Sequence, residues 1–439
     1  MLNRICIVLW AIIITSCIGQ QVMAQTDSSS LGYKKYRDSS SLKEKQAGYS
    51  ATPAQKMISS SGEDLLSGGN AKVAQTVISG YGEATYQHDF AYKNSAFNLA
   101  RAVLFVGHQF TSKIAFFSEL EVESAKVEGG DSKGEIGMEQ AYIKFSLNPR
   151  QYIVAGLFTP RIGITNENHL PVNFNGTERP LVEQLIIPTT WREIGVGFYG
   201  QAATLPLSYS AAIVSGVSSE NMVHGSGFTG GLSDGQLASG NNLALTASLR
   251  YFVGDFQFQV SGYMSGTTGM GNYQADSLGL ASGPFGTPLY LGEADVQYNK
   301  GGFSAKALGT YVTMPDASKV NNAFASNVFK TMNGIYGELS YDLLHNTGSH
   351  QQLIGFGRYE YLNLNDEIPS NGIKDPTLKQ VHIVTGLNYF PIPNVVIKAD
   401  VRITHTGPQN KNLIINPPSV MQAYQQNNQF LNIGIGYAF

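Results

Sequence analysis

One long segment, residues 159–190, with the sequence TPRIGITNENHLPVNFNGTERPLVEQLIIPTT, carries charged side chains that could bind ions or polar solutes. A guanidinium binds anions through a planar pair of donors, whereas a carboxylate binds cations or pairs with an arginine. Both kinds of group occur here close together, and one further arginine follows directly. The residues that we expect to contact solutes are Arg161, Glu167, Glu178, Arg179, Glu183 and Arg192.

The same arginines have a second role that the sequence leaves open. They could pair with Glu178, Glu183 and Glu193 and so hold the segment in one conformation rather than contact a solute. Apolar residues between the charges, including Leu185 and Ile186, favour a segment that packs over one that is disordered.

Other patterns with known chemistry are weak in this sequence. The run GVGFYG, residues 195–200, matches the dinucleotide-binding pattern, but it lies within an expected strand and no helix follows it to receive a pyrophosphate. The eight histidines lack the spacing of metal ligands, and there is no G-x-S-x-G nucleophile elbow. We therefore predict no metal, no cofactor and no catalytic residue.

Strands must position the charged segment, because apolar and polar side chains alternate along much of the chain after residue 72. Charged residues make up only 14% of the sequence, against roughly 25% in a soluble globular protein. We predict an all-β fold, a transmembrane antiparallel β-barrel of about sixteen strands over residues 73–439. The predicted strands are 73–87, 97–109, 111–126, 134–147, 150–158, 191–202, 205–217, 242–253, 255–268, 288–299, 302–314, 332–344, 349–362, 378–389, 394–406 and 427–439.

Two of these segments show the alternation clearly, KIAFFSELEVE (residues 113–123) and NVVIKADVRIT (residues 394–404). In each, most apolar side chains fall on one face of the strand and the charges fall on the other. We expect the apolar face to meet lipid and the charged face to line the lumen. The lumen-facing charges are then Glu119, Glu121, Glu123, Lys398, Asp400 and Arg402.

The connections between the predicted strands alternate between short, as in YNKGGF, and long, as in NLNDEIPSNGIKDPTLK. Outer-membrane barrels have this asymmetry, with short periplasmic turns and long outer loops. Residues 159–190 follow an odd-numbered strand and so start on the outer side. Since sixteen strands enclose a lumen too wide for side chains to fill, we predict that this segment folds inward as a constriction loop.

The N-terminal residues predict export. A basic residue in MLNR, the apolar run ICIVLWAIIITSCIG and the small residue Ala24 form a signal peptide over residues 1–24. A competing interpretation is a lipoprotein signal in which Cys17 is acylated. Residues 25–72 are polar and serine-rich, and we expect a largely disordered periplasmic arm, too short for the folded plug of an energy-coupled transporter.

The last ten residues, FLNIGIGYAF, predict the strand that closes the barrel. Leu431, Ile433, Ile435, Tyr437 and Phe439 would face lipid, with the final aromatic ring near the periplasmic interface. A terminal phenylalanine also resembles the signal by which the bacterial barrel assembly machinery recognises outer-membrane proteins. We therefore expect Phe439 to act as an assembly signal.

A family resemblance covers residues 73–217 and, less specifically, the rest of the chain. The runs LARAVLFVGHQF, SELEVE, EQAYIKF, AGLFTPRIGITNENHLP and ERPLVEQLIIPTTWREIGVGFYG resemble the porins typified by phosphate-selective porins O and P, especially relatives in the Bacteroidetes. The resemblance implies a sixteen-stranded, commonly trimeric channel with an inward loop and basic residues that attract anions. Arg161, Arg179 and Arg192 are the positions that could correspond to those basic residues.

The sequence thus predicts a porin of the bacterial outer membrane. Its expected partners are lipid, small solutes or ions that diffuse passively, anions such as phosphate among them, and further copies of itself in a homotrimer; no basic block suggests nucleic acid. The charges predicted for the lumen are mixed in sign, so these residues do not themselves predict a strong anion-attracting field. Two alternatives are a surface-binding or adhesion barrel and a hydrolase in which His108 or His382 meets a serine.

Overall fold

A computed structural model describes residues 51–59, 75–124, 134–413 and 424–439. The predicted signal peptide, residues 1–24, lies outside the described residues, as does the predicted arm apart from residues 51–59.

The described chain forms one closed antiparallel barrel in which every strand pairs with its two neighbours and the first strand pairs with the last. The prediction of an all-β transmembrane barrel of about sixteen strands is confirmed. The strands are β1 (Gln75–Asp89), β2 (Asn94–Thr111), β3 (Ile114–Glu123), β4 (Glu135–Asn148), β5 (Gln151–Phe158), β6 (Glu193–Gln201), β7 (Leu207–Ser215), β8 (Leu243–Val253), β9 (Phe256–Ser265), β10 (Leu289–Lys300), β11 (Phe303–Thr313), β12 (Thr331–Asp342), β13 (Gln352–Glu367), β14 (Lys379–Ile392), β15 (Val395–Thr406) and β16 (Asn427–Ala438).

The alternation of the sequence separates the two faces of the wall. On β9, for example, Val260 is 53% exposed on the outside while Gln259 is buried inside. Outward positions on the other strands carry a continuous set of exposed Leu, Ile, Val, Phe and Tyr side chains. A soluble protein rarely exposes so large an apolar surface, so the outer face of this barrel meets lipid.

Four short helices accompany the barrel in the described part of the chain: α1 (Pro53–Ser59), α2 (Val182–Leu185), α3 (Asn272–Ser277) and α4 (Ala317–Phe324). No described helix is long and apolar enough to cross a membrane.

Helix α1 differs from the expectation for the N-terminal arm, because it is ordered and lies against the inner face of β1 to β3. Ala54 and Met57, three residues apart, are both buried. Met57 reaches the surface of Gly107, where an added Cβ would meet the methionine Cε at 2.4 Å. This packing, together with the hydrogen bond that the Ala54 N–H donates to Ser79 Oγ at 3.3 Å, holds the segment inside the barrel.

Strand β16 closes the barrel against β1, with the face assignment expected from the sequence. Ile433, Ile435 and Tyr437 are exposed on the outside, whereas Asn432 and Ala438 are buried. Phe439 continues the pairing, since its backbone N–H donates to the Gly80 carbonyl at 2.8 Å and its carbonyl accepts from the Gly80 N–H at 2.9 Å. Its role as an assembly signal stays a prediction.

The connections follow the expected asymmetry. At one end of the barrel most turns are short, as at residues 112–113, 149–150 and 301–302. At the other end residues 159–192, 216–242 and 266–288 form long connections. Residues 159–192, here called the inward loop, begin after β5 and extend two residues beyond the predicted limit.

Those two residues correct the predicted start of the sixth strand. Trp191 and Arg192 belong to the inward loop because the Asn166 side chain holds the Trp191 backbone: it accepts from the Trp191 N–H at 2.8 Å and donates to the Trp191 carbonyl at 3.3 Å. The Trp191 peptide groups are therefore bonded within the loop, and pairing with β5 begins at Glu193.

A charge on the outer face should destabilise the barrel. Val260 lies midway along β9, opposite Ala294 of β10. We expect Val260→Lys to lower the free energy of unfolding in phospholipid vesicles by about 2–4 kcal/mol, the cost of a lysine at the bilayer midplane. Urea titration measures this difference against Val260→Leu, the size-matched apolar control. Equal midpoints for the two variants would show that this face does not meet hydrocarbon.

Candidate functional site

Basic side chains on the wall donate to carbonyl groups of the inward loop. Lys398 Nζ on β15 donates to the Phe174 carbonyl at 2.9 Å and lies 3.6 Å from the centre of the Phe174 ring. On β13 Arg358 uses two nitrogens, one on the Asn175 carbonyl and one on the Glu178 carbonyl, each at 3.1 Å. Because the loop has no ladder partner here, these side chains replace the hydrogen bonds that a strand would supply.

Acidic side chains on the same wall accept from the loop backbone. Asp400 Oδ2 accepts from the Thr177 N–H at 2.7 Å, and Glu360 Oε2 accepts from the Val182 N–H at 3.2 Å. With Lys398 and Arg358, these residues hold the loop through its peptide groups and not only through side-chain packing.

Two glycines on the wall give the loop room to approach. A Cβ at Gly436 on β16 would meet the Pro171 side chain at 2.7 Å, and a Cβ at Gly334 on β12 would meet Ile186 Cδ1 at 2.7 Å. The loop therefore contacts the wall at separate points around the barrel, and helix α2 packs against β12 and β13.

Glu183 ties the loop to itself and to the wall. It is fully buried and accepts from the Ile164 and Thr165 backbone N–H groups, each at 2.8 Å, and from the Tyr336 hydroxyl at 2.6 Å. Burial raises the pKa of Glu183, and the hydrogen bonds from Thr165 and Tyr336 oppose that rise. This residue has a structural position and does not face a passage.

Arg161 and Glu167, both predicted to contact solutes, pair with each other. The Arg161 Nε atom lies 3.0 Å from both Glu167 carboxylate oxygens, and Arg250 on β8 reaches Glu167 Oε2 at 3.0 Å. Glu167 retains a side-chain exposure of 24%, whereas both arginines are buried.

Arg179 is buried and donates to the His169 carbonyl at 3.3 Å. Burial, assisted by the neighbouring Arg101 guanidinium, lowers the pKa of Arg179. Arg192 lies 3.6 Å from Asp234 and 4.0 Å from Glu139.

Among the described residues, the three loop arginines do not pair with Glu178, Glu183 or Glu193. Glu193 instead accepts from the Trp191 indole at 3.0 Å and from Ser215, and Glu183 accepts from the donors described above. The wall supplies competing partners, because the loop crosses the lumen and its carboxylates reach Arg250 on β8 and Arg402 on β15.

Glu178 of the loop pairs with Arg402 on β15. Arg402 on β15 reaches the Glu178 carboxylate, whose side chain is 36% exposed, and Gln87 on β1 donates to the other carboxylate oxygen at 3.4 Å. The Arg402 side chain is 12% exposed and lies over the Phe430 ring. Of the predicted solute contacts, Glu178 is thus the one most open to water.

The predicted lumen charges on β3 divide into two groups. Glu119 and Glu121 are buried inside the barrel, and Glu121 lies 3.3 Å from the Arg101 guanidinium. Glu123, at the end of the strand, is exposed.

Tyr81 and Glu139 are the buried polar residues that sequence reasoning missed. Tyr81 donates its hydroxyl toward Glu119 and Glu139, at 3.3 Å in each case. Glu139 turns inward because of a bulge: Glu119 and Leu120 pair with Gln140 and Met138, so Glu139 has no partner opposite it. The polar run MEQ within a strand was the available signal, but alternation alone cannot locate a bulge.

His169 of the loop completes this group. Its Nε2 atom lies 3.2 Å from Glu119 Oε1 and its Nδ1 atom lies 2.8 Å from the Asn166 carbonyl. Burial lowers the pKa of His169 to about 4, although Glu139 acts in the opposite direction. The His169 side chain therefore links the loop to β3.

The two histidines considered for a hydrolase have other partners. His108 contacts the Thr76 hydroxyl at 2.8 Å, and His382 contacts the Thr404 hydroxyl at 2.9 Å and Gln380 at 3.0 Å. Among the described residues neither histidine hydrogen-bonds a serine.

Comparison with known proteins identifies one sequence relative and several structural ones. The chain is 33% identical over 339 residues to an uncharacterized protein of Aquifex aeolicus, covering 74% of each. No family model matches the sequence.

Solved structures share the fold at low identity. The anion-selective porin of Comamonas acidovorans matches 84% of this chain and 100% of its own, with 11% identity and a TM-score of 0.52. OmpF of Salmonella typhi matches 83% and 97%, with 12% identity and a TM-score of 0.52. The trimer form of OmpT, an outer-membrane protein of Vibrio cholerae, matches 84% and 100%, with 10% identity and a TM-score of 0.50. With its closed barrel and apolar outer face, this chain is a bacterial outer-membrane protein with a porin-like fold.

Removing one wall donor should loosen the loop without opening the barrel. We expect Lys398→Met to increase amide hydrogen exchange around residues 173–177 by about 10-fold to 100-fold, because a hydrogen bond from a charged group contributes about 1.5–3 kcal/mol. Mass spectrometry of exchanged peptides measures the effect. Lys300→Met is the matched control, since Lys300 is 65% exposed and pairs with Asp255. Unchanged exchange in the loop would contradict the bracing role of Lys398.

Proposed function

We propose that this chain, which belongs to the same family as the uncharacterized Aquifex aeolicus protein, is a passive outer-membrane porin for small hydrophilic solutes and ions. On this proposal it has no catalytic role and needs no cofactor. Solutes cross by diffusion through the part of the lumen that the inward loop leaves to water.

The observation that carries the proposal is a charged loop held across the inside of a closed barrel. A loop that served only as an outer binding surface would not need Lys398, Arg358, Asp400 and Glu360 to bind its backbone inside the wall. Fixed in this way, the loop narrows the lumen to a defined width, which is how a porin selects solutes by size.

We propose further that charge selection depends on few groups. Most charges of the loop and wall are neutralised in pairs, as in Arg161 with Glu167. Glu178, which pairs with Arg402, has the highest side-chain exposure among the residues predicted to contact solutes, at 36%. Phosphate is the anion that the resemblance to phosphate-selective porins O and P suggests, and its selection would have to arise at this pair rather than from a broad basic field.

The same proposal includes a homotrimer within the lipid bilayer, with assembly through the bacterial barrel assembly machinery. Its support is the description of the Vibrio cholerae OmpT structure as a trimer form. Mass measurement of the detergent-solubilised protein tests the stoichiometry.

Conductance across a planar lipid bilayer tests the channel and its selectivity together. We expect stepwise openings from the folded protein. Under a KCl gradient, Arg402→Gln should shift the reversal potential toward cation preference, because Glu178 then loses its positive partner. Glu178→Gln should shift it in the opposite direction, and the double variant should return close to the original value.

Lys300→Gln is the control for this experiment, since it removes one positive charge at an exposed position away from the loop. It should leave the reversal potential unchanged. Folded protein that never conducts would remove the porin proposal, whereas conductance with no opposed shifts would remove Glu178 and Arg402 from the passage.

A further inference from the structure

A buried group of polar side chains joins the inward loop to the wall at the level of β3 and β4. It consists of Glu119 on β3, Glu139 on β4 and His169 in the loop, with Tyr81 of β1 beside them. Glu119 and Glu139 have no exposed surface, and His169 is 2% exposed. One potential ligand atom from each of these three residues lies within 4.8 Å of the other two.

The imidazole of His169 is oriented toward the two carboxylates. Its Nδ1 atom lies 2.8 Å from the Asn166 carbonyl, which can only accept, so Nδ1 carries the proton. The Nε2 lone pair therefore points at Glu119 Oε1, 3.2 Å away, and at Glu139 Oε2, 3.8 Å away. Histidines that bind metals are commonly held by a backbone carbonyl in this way.

In each carboxylate the oxygen that is turned away from His169, here called the outer oxygen, accepts a hydrogen bond from another side chain. Glu119 Oε2 accepts from the Gln140 amide at 2.6 Å, and Glu139 Oε1 accepts from the Thr190 hydroxyl. Arg192 also approaches that outer oxygen of Glu139, at 4.0 Å. The inner oxygens, Glu119 Oε1 and Glu139 Oε2, are left to face His169.

The Tyr81 hydroxyl donates toward both inner oxygens and lies 3.3 Å from each. Burying two carboxylates this close together is costly unless a positive species lies between them.

We propose that Glu119 Oε1, Glu139 Oε2 and His169 Nε2 bind one divalent first-row metal ion, with zinc as the best-fitting member of that class. An imidazole nitrogen with carboxylate oxygens is a zinc donor set, whereas calcium and magnesium prefer oxygen alone. Ligand atoms about 2 Å from a tetrahedral ion lie about 3.3 Å apart, close to the 3.2 Å between His169 and Glu119. The ion would tie the loop to two strands, and its binding is independent of whether the barrel conducts.

Metal binding by the purified full-length protein tests the proposal. Protein stripped with EDTA and dialysed against ZnCl₂ should retain one zinc ion per chain, measured by atomic absorption. His169→Asn and Glu139→Gln should each weaken zinc binding by about 10-fold or more. His382→Asn is the matched control, because His382 is equally buried, at 3%, but bonds only Thr404 and Gln380.

Two outcomes would overturn the proposal. Wild-type protein that retains no zinc would show that an additional proton, and not a metal, bridges the carboxylates. Zinc binding that survives both substitutions would place the ion elsewhere on the chain. If the variants fail to fold, cobalt(II) added to the wild-type protein gives an independent result: visible absorption bands that zinc abolishes support the site, and their absence rejects it.

Discussion

Hydrogen bonds between charged wall side chains and the backbone of residues 159–192 determine how this barrel is filled. A loop that leaves the strands must find partners for its peptide groups, and an unpaired group away from water costs about 1–3 kcal/mol. The wall has the complementary need, because Lys398, Asp400 and Arg358 are buried inside a barrel surrounded by lipid. The wall side chains provide hydrogen-bond partners for the loop peptide groups, and those peptide groups provide partners for the buried charges. The loop and the inner face of the wall therefore depend on one another.

In the proposed channel, this dependence limits the part of the wall that a solute can contact. A charged side chain that already binds a loop carbonyl binds a passing ion more weakly. A count of lumen charges therefore overstates the electric field in the proposed passage. In the proposed channel, peptide groups of the loop set the width of the passage. On the same proposal, charge discrimination falls to the few pairs with access to water, such as Glu178 with Arg402.

The sequence predicted which face of each strand points inward, but it did not predict which residues the inward side chains bond. One physical reason explains both results. Alternation along a strand is local, so the faces of β15 and β16 could be predicted from a few residues each. The partners of Lys398 and Glu183 are separated from them by long stretches of chain or lie across a fold of the loop, and no local pattern records such contacts. The order of helix α1 was missed similarly, because two apolar residues in a polar arm become significant only opposite Gly107.

The bulge at Glu139 changes which residues of β4 reach the interior of the barrel. On the other side of the bulge β4 still pairs with β3, but the residues that face the interior change from odd-numbered to even-numbered positions. A one-residue deletion between Glu139 and Tyr142 would restore unbroken alternation and still leave both side chains on the inner face, because residues two apart share a face of a strand. The extra residue of the bulge thus allows odd-numbered and even-numbered positions of one strand to line the same interior.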